Sequence, residues 1–139
     1  MPTQPSAFLL LFRNASPETY KALSPEQNQQ VLERWNAWYD DLAAAGKLQY
    51  GHPLEPEGRV LVGRGERAVD GPFAESKEAI GGYFFLTVAD LDEATEIARR
   101  CPGLKHGITV EVRPIAAYCH LGPIGAPQRE ARMLAKAST

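Results

Sequence analysis

Hydrophobic residues follow two different periods along this chain, and the change of period separates predicted strands from predicted helices. Residues 8–12 (FLLLF) form a continuous apolar run, which predicts a central strand covered on both faces. Residues 83–88 (YFFLTV) predict a second apolar strand, and residues 108–113 alternate apolar and polar side chains, which is typical of a half-buried strand. Shorter strands are expected at residues 47–51, 60–62 and 67–69, with a glycine-containing hairpin turn between the last two.

The first predicted helix begins after Ser24. Ser24 is a favourable N-cap, Pro25 suits the first helical position, and Gln27 completes a capping box. An apolar stripe at helical spacing follows, made of Val31, Leu32, Trp35, Trp38, Tyr39 and Leu42. Gly46 is expected to end this helix in the left-handed conformation that a C-cap glycine adopts.

The second predicted helix begins after Asp90, with Glu93 at the position of a capping-box partner. Its inner face is made of Ala94, Ile97, Ala98 and Cys101, and the Pro-Gly pair at residues 102–103 stops it. The order of elements is therefore strand, helix, strand, hairpin, strand, helix, strand. This order predicts an α+β fold, a ferredoxin-like split β-α-β arrangement with an inserted β-hairpin.

Two helices can shield only one side of such a sheet. We expect apolar strand residues such as Phe8, Leu10, Phe84 and Leu86 to lie on the side that the helices leave uncovered. A second copy of the chain would cover that side in a two-fold interface, so the sequence predicts a homodimer.

The length of 139 residues suits one domain, which we place at residues 1–115, followed by a tail at residues 116–139 that packs against a partner subunit or is mobile. The net charge is −2 and no basic stripe stands out, so nucleic acid is not an expected partner. No apolar run approaches the ~20 residues that span a bilayer, so no membrane association is expected. The two cysteines do not form a disulfide framework, which favours a cytoplasmic protein.

Residues 70–83 read DGPFAESKEAIGGY, a polar segment that opens with a turn and closes with two glycines before a strand. With this segment the chain resembles the YCII-related, or DGPF, family. The resemblance extends over residues 8–115 and includes the sequences at residues 23–26, 45–46, 90–94, 100–102 and 110–115.

The resemblance implies a domain that dimerises into an α/β barrel, with a cavity near the first helix for a small organic molecule. It implies acid–base chemistry of the elimination or lyase type as one function, and a non-catalytic regulatory or binding protein associated with alternative sigma factors as the other. Relatives in the wider superfamily carry a His–Asp pair at the first helix. Trp35 and Ala44 stand at or near those positions, so the pair is absent here.

Three residues are candidates for proton transfer. Asp70 opens the DGPF segment, and its carboxylate can serve the turn, a pocket, or both. His52 and His106 follow or precede predicted strands, and an imidazole titrates near neutral pH. The alternative for both histidines is a loop position without a role in a site.

Five residues are candidates for substrate binding. Trp35, Phe73 and Tyr83 offer flat apolar surface for a planar ligand, with core packing as the alternative. Lys77 and Glu78 offer charge, with a solvated helix face as the alternative. The chain has no His-x-x-x-His, Cys-x-x-Cys or Glu-x-x-His spacing and no phosphate loop, so we expect neither a metal nor a cofactor.

Overall fold

The computed structural model describes residues 6–14, 20–61, 63, 68–70, 80–116, 119–122 and 124–125. The elements in chain order are β1 (Ser6–Arg13), α1 (Pro25–Ala44), β2 (Leu48–Pro53), β3 (Arg59–Leu61), β4 (Ala68–Asp70), β5 (Ile80–Val88), α2 (Leu91–Arg99), a 3₁₀ helix (Pro102–His106) and β6 (Thr109–Pro114). Every strand and helix in the predicted order is present, and the 3₁₀ helix is an addition. The helix considered for Lys77 and Glu78 lies outside the described residues.

The main sheet has four antiparallel strands in the order β2-β5-β1-β6. The chain passes from β1 through α1 to β2, which lies beyond β5, and from β5 through α2 to β6, which lies beyond β1. This is the interleaved order of a ferredoxin-like fold, so the predicted fold class is confirmed. The predicted hairpin is also confirmed: β3 and β4 pair with each other in a separate two-stranded sheet.

The capping residues of α1 act as expected. The Ser24 hydroxyl accepts a hydrogen bond from the Gln27 amide at 3.1 Å, and the Gln27 side chain accepts one from the Ser24 amide at 2.9 Å. Gly46 follows the last turn with a φ of 75°, the left-handed conformation that favours glycine. The apolar stripe is narrower than predicted, since Leu32 is 52% exposed while Val31, Trp38 and Leu42 are buried.

The chain after α2 turns back towards α1 through the 3₁₀ helix. Pro102 was predicted to stop α2, and it also occupies the first position of the 3₁₀ helix. A Cβ atom on Gly103 would clash with the Ile108 side chain and lie 3.0 Å from the Trp35 ring, so only glycine allows this approach. Gly103 thereby seats the 3₁₀ helix against α1.

The two faces of the sheet differ from the prediction. Phe8, Leu10 and Phe12 of β1 are buried in one core with residues of α1 and α2, together with Phe84 and Leu86 of β5. The expectation that these residues lie on the face uncovered by helices is therefore wrong. The described residues cover the apolar run of β1 fully on one face only, because its residues alternate between buried and half-buried.

The opposite face of the sheet, here called the open face, carries the alternate residues. Its centre is apolar and half-buried, and is made of Leu9, Leu11, Tyr83 and Phe85. At the β6 edge, Glu111 forms an ion pair with Arg13 of β1 at 3.4 Å and another with Arg113 of β6 at 3.1 Å. In the described part of the chain, no helix is both long and apolar enough to cross a membrane.

Candidate functional site

A cavity of about 280 Å³ lies between α1 and the ends of β2 and β5, on the helix-covered side of the sheet. The residues that line it are Phe12, Tyr20, Trp35, Asn36, Tyr39, Gly51, His52, Pro53, Gly81, Gly82, Phe84 and Ile108. This volume is at the lower end of the range of about 300–1,000 Å³ that is usual for small-molecule pockets. It suits a molecule of one or two rings.

Four aromatic rings form the apolar wall of the cavity. Phe12 packs edge-on against Trp35 and Phe84, with ring centroids 5.1 and 5.0 Å apart, and Tyr39 meets Phe84 in the same manner at 5.5 Å. Such edge-to-face contacts hold each ring in place. Trp38 lies behind them, tilted against Phe84 at 4.9 Å and buried, which confirms its predicted core role. The wall is therefore a fixed aromatic surface.

Glycines make the strand side of the cavity. A Cβ atom on Gly51 would clash with the Phe84 ring, and one on Gly82 would lie 3.0 Å from the His52 carbonyl oxygen. The pairing of β1 with β5 shifts register here, since Phe12 pairs with Gly82 but Arg13 pairs with Ile80, which leaves Gly81 as a bulge. Backbone without side chains, next to a bulge, leaves the space that the cavity occupies.

Apart from His52, the polar residues of the lining are Asn36, Tyr20 and Tyr39. Burial raises the pKa of Tyr20, the neighbouring Cys101 raises it further, and the Trp35 side chain opposes this only in part. The Tyr20 hydroxyl is itself buried, and no described residue is within hydrogen-bonding geometry of it. Tyr20 is therefore uncharged at neutral pH. The described lining contains no carboxylate, lysine or arginine.

His52 was predicted to follow the strand, but it lies within β2 because β2 extends to Pro53. Its Nδ1 atom is 3.0 Å from the Tyr83 hydroxyl, opposite it on β5. Since Tyr83 faces away from the helices, the imidazole of His52 lies on the open face, and the His52 carbonyl borders the cavity. The structure thus joins two predicted site residues, but on the other side of the sheet from Trp35.

His106 is the last residue of the 3₁₀ helix and packs against Tyr20, with ring centroids 5.4 Å apart. It stands behind the Tyr20 ring and is not among the lining residues. His52 and His106 are therefore not brought together. A pairing of the two histidines in one acid–base site is not supported by their positions.

The other predicted site residues belong to the DGPF segment. Asp70 is the last residue of β4 and pairs with Arg59, and its side chain is not described. Phe73, Lys77 and Glu78 lie outside the described residues, as does most of the predicted tail at 116–139. The segment is nevertheless joined to the site through the chain, because residue 79 is followed by Ile80, Gly81 and Gly82.

Sequence reasoning missed Tyr20, Asn36 and Gly51 as site residues. Asn36 lies beside Trp35 on α1, one position outside the apolar stripe, and a polar residue at that boundary was a usable signal. Tyr20 precedes the helix and reaches the site through packing between distant segments, which no local pattern indicates. Within the described residues, no group of three His, Cys, Asp or Glu side chains could hold a metal ion.

Comparisons with known proteins give one family and few individual relatives. A family model described as the YCII-related domain matches residues 7–117, from β1 to beyond β6. An uncharacterized protein of Rhizobium meliloti (strain 1021) is 36% identical over 102 aligned residues, and the match covers 70% of this chain and 82% of that protein. The solved structure of 5-chloro-2-hydroxyhydroquinone dehydrochlorinase from Burkholderia phenoliruptrix AC1100, in complex with 2,5-dihydroxybenzoquinone, matches with a TM-score of 0.46 and 18% identity, covering 79% of this chain and 93% of that one.

Proposed function

The chain belongs to the YCII-related family, and we propose that it binds a small, neutral, planar molecule in the cavity between α1 and the sheet. The observation that carries this proposal is the cavity of about 280 Å³ with a fixed wall of four aromatic rings. Flat rings that are held edge-on by their neighbours leave a slot whose shape suits another flat ring.

The polar groups narrow the class of ligand further. Asn36 and Tyr39 offer donors and acceptors without charge, and the backbone of β2 and β5 borders the opposite side. A charged ligand would lose its hydration in this apolar space without an opposite charge among the described lining residues. We therefore expect an aromatic ring with one or two hydroxyl or carbonyl substituents and no net charge.

A bulky residue at the cavity boundary tests this site. Asn36 is exposed on α1, so Asn36→Trp should fill the cavity with little effect on the core. Binding of 1-naphthol, measured by calorimetry, should weaken by at least ~10-fold, the loss expected when a ring can no longer be buried. Gln30→Trp makes the same substitution at another exposed position of α1 and should bind as the unmodified protein does.

The outcomes separate clearly if both variants keep the urea unfolding midpoint of the parent. Loss of binding in Asn36→Trp alone supports the cavity as the ligand site. Equal binding by both variants, or no binding of neutral rings by the parent protein, would contradict the proposal. Mass spectrometry of the protein purified under native conditions then identifies the bound compound.

Acid–base chemistry of the elimination or lyase type needs a proton acceptor at this cavity. The described lining offers only tyrosine hydroxyls, and the imidazole of His52 lies on the other face of the sheet. We therefore propose Asp70 as the base, because the segment that begins there leads directly into Gly81 and Gly82. The uncharged lining supports the second function, a binding or regulatory protein such as one associated with an alternative sigma factor.

Asp70→Asn separates these two functions. The substitution keeps the shape and the turn-forming amide oxygen of the side chain but removes the charge and the ability to accept a proton. If Asp70 is the base, turnover of the bound ligand should fall by ~100-fold with little change in stability. Equal turnover in the variant would exclude Asp70 as the base, and an absence of turnover in the parent protein would favour the binding role.

We also propose that the protein is a homodimer that joins its two sheets through their open faces. Leu9, Leu11 and Phe85 form an apolar centre there, and both described helices pack on the opposite face. An apolar patch of this kind on a sheet is usually covered by another layer.

The cytoplasm remains the expected location of the protein.

A further inference from the structure

A second concave surface, here called the basic groove, lies on the outer side of α1. It runs between α1 and the junction of α2 with the 3₁₀ helix, and encloses about 420 Å³. It shares no lining residue with the aromatic cavity. Its lining combines four cationic side chains with apolar ones: Arg34, Arg99, Arg100 and Lys105, with Ala37, Trp38, Cys101, Pro102 and Leu104.

The positive charge of the basic groove is largely unneutralised. Arg99 forms an ion pair with Glu96 at 3.0 Å. None of the described carboxylates forms an ion pair with Arg34, Arg100 or Lys105, and no carboxylate belongs to the lining. The groove therefore holds three cations, Arg34, Arg100 and Lys105, that form no ion pair with a described carboxylate.

Helix electrostatics explain only part of this charge. Arg99 and Arg100 are at the C-terminal end of α2, where cations offset the helix dipole. Arg34 lies in the middle of α1, far from the last turn of that helix, and has no such role. Three separate elements thus direct cations to one groove, which favours a function for the groove beyond helix capping.

Trp38 gives the basic groove a spectroscopic reporter. It is only 8% exposed and belongs to the lining of the basic groove. Its indole Nε1 atom is buried and makes no hydrogen bond to any described residue. Because Trp38 lines the groove, the signal of its indole N–H reports on a ligand that binds there. The cationic side chains of the groove offer N–H donors only, since Arg and Lys have no acceptor atom.

We propose that the basic groove binds the phosphate group of a small phosphate monoester. A phosphate presents several acceptor oxygens and about two negative charges, which match the guanidinium groups of Arg34 and Arg100 and the ammonium group of Lys105. The space of about 420 Å³ exceeds what a phosphate alone needs, and Pro102 and Leu104 offer apolar surface for the rest of the molecule. This site is separate from the aromatic cavity and takes a ligand of opposite character.

Nuclear magnetic resonance of the indole N–H groups tests the proposal, with phenyl phosphate, inorganic phosphate and phenol as probes. The chain has two tryptophans, so Trp35→Phe assigns the Trp38 signal. Phenyl phosphate should shift the Trp38 signal saturably, both in the parent protein and in Asn36→Trp, whose aromatic cavity is filled. Phenol, which can reach Trp38 only through the aromatic cavity, should cause no shift in Asn36→Trp. Arg34→Gln and Arg100→Gln should each weaken binding by about tenfold, the usual effect of one charged hydrogen bond. Arg113→Gln removes the same charge on β6 and should have no effect.

Three results would overturn the proposal. The first is a Trp38 signal that does not shift at about 10 mM phenyl phosphate, because a Kd above this concentration is too weak for a specific site. The second is equal weakening by the Arg113→Gln control, which would indicate general charge attraction. The third is equal affinity for inorganic phosphate, which would assign the groove to free phosphate and not to a monoester. Asn36→Trp should leave phenyl phosphate binding unchanged, so failure of the cavity proposal remains distinguishable.

Discussion

Cys101 shows how a single buried thiol affects the stability of the whole protein. It is 4% exposed beneath the 3₁₀ helix, and burial raises the pKa of its thiol from 9.0 to about 11, although hydrogen bonds with the backbone of Gly103 and Leu104 oppose this rise. The folded protein then keeps a proton that the unfolded chain has already released. Raising the pH from 9 towards 11 therefore favours the unfolded state. Tyr20, whose pKa is also raised by burial, acts in the same direction above pH 10.

We therefore predict that the free energy of unfolding falls between pH 9 and about pH 11, and that Cys101→Ala makes this fall less steep. Urea unfolding under reducing conditions measures both profiles. The slope is the readout, because Cys101→Ala also removes buried volume and lowers stability at every pH. Parallel profiles for the two proteins would mean that the folded state accommodates the thiolate.

At the residue scale, sequence reasoning identified the chemistry of the site only in part. Trp35 was recognised because it stands where relatives carry a polar group, and it does line the cavity. His52 belongs to the lining of the cavity, but its side chain lies on the other face of the sheet because β2 continues to Pro53. Side chains alternate between faces along a strand, so a shift of one position in the paired segment changes which face a residue takes. Such detail depends on pairing with β5, which local sequence does not specify.

At the scale of the elements, the end of α1 tests the rule that a helix ends at a glycine in the left-handed conformation. Gly46 has a φ of 75°, and a Cβ atom there would meet nothing within 4 Å. Gly46→Ala should therefore cost about 1 kcal/mol of stability through backbone strain alone. Gly63 has equally open surroundings without a positive φ, so Gly63→Ala is the matched control and should be close to neutral. Equal denaturation midpoints for the two variants would mean that the end of α1 rearranges at little cost.

The elements themselves were predictable, whereas the faces they bury were not. The caps at Ser24 and Asp90 and the strand β6 were predicted from local signals, and all three are present. The runs in β1 and β5 are apolar at almost every position, so neither run indicates which alternate residues meet the helices. The wrong assignment of Phe8 and Leu10 to the uncovered face follows from this. The packing of α1 and α2 against one side of the sheet determines which of these residues are buried.

At the scale of the whole molecule, the surface that a second copy would cover is the open face and not the face that carries Phe8 and Leu10, which the helices cover. The open face now has Leu9, Leu11 and Phe85 at its centre, with Tyr50 stacked on Phe85 at 4.9 Å towards the β2 edge. The charged strip of β6 lies at the other edge, where Glu111 pairs with two arginines. An apolar centre with a charged edge is the usual anatomy of a protein interface. A two-fold axis through this centre would place each apolar group against its counterpart.

We predict that the protein sediments as a dimer at micromolar concentration and that Leu11→Arg converts it to a monomer. Leu11 is half-buried on β1 at the middle of the open face, and an arginine there would bring two like charges into an apolar contact, where no partner compensates the lost hydration. Leu32→Arg is the matched control, because Leu32 is 52% exposed on α1 and the helices lie on the other side of the sheet. Both variants should retain the folded circular dichroism spectrum. A dimer that persists in Leu11→Arg but dissociates in Leu32→Arg would move the interface to the helix side, and a stable monomer of the unmodified protein would rule out the proposed assembly.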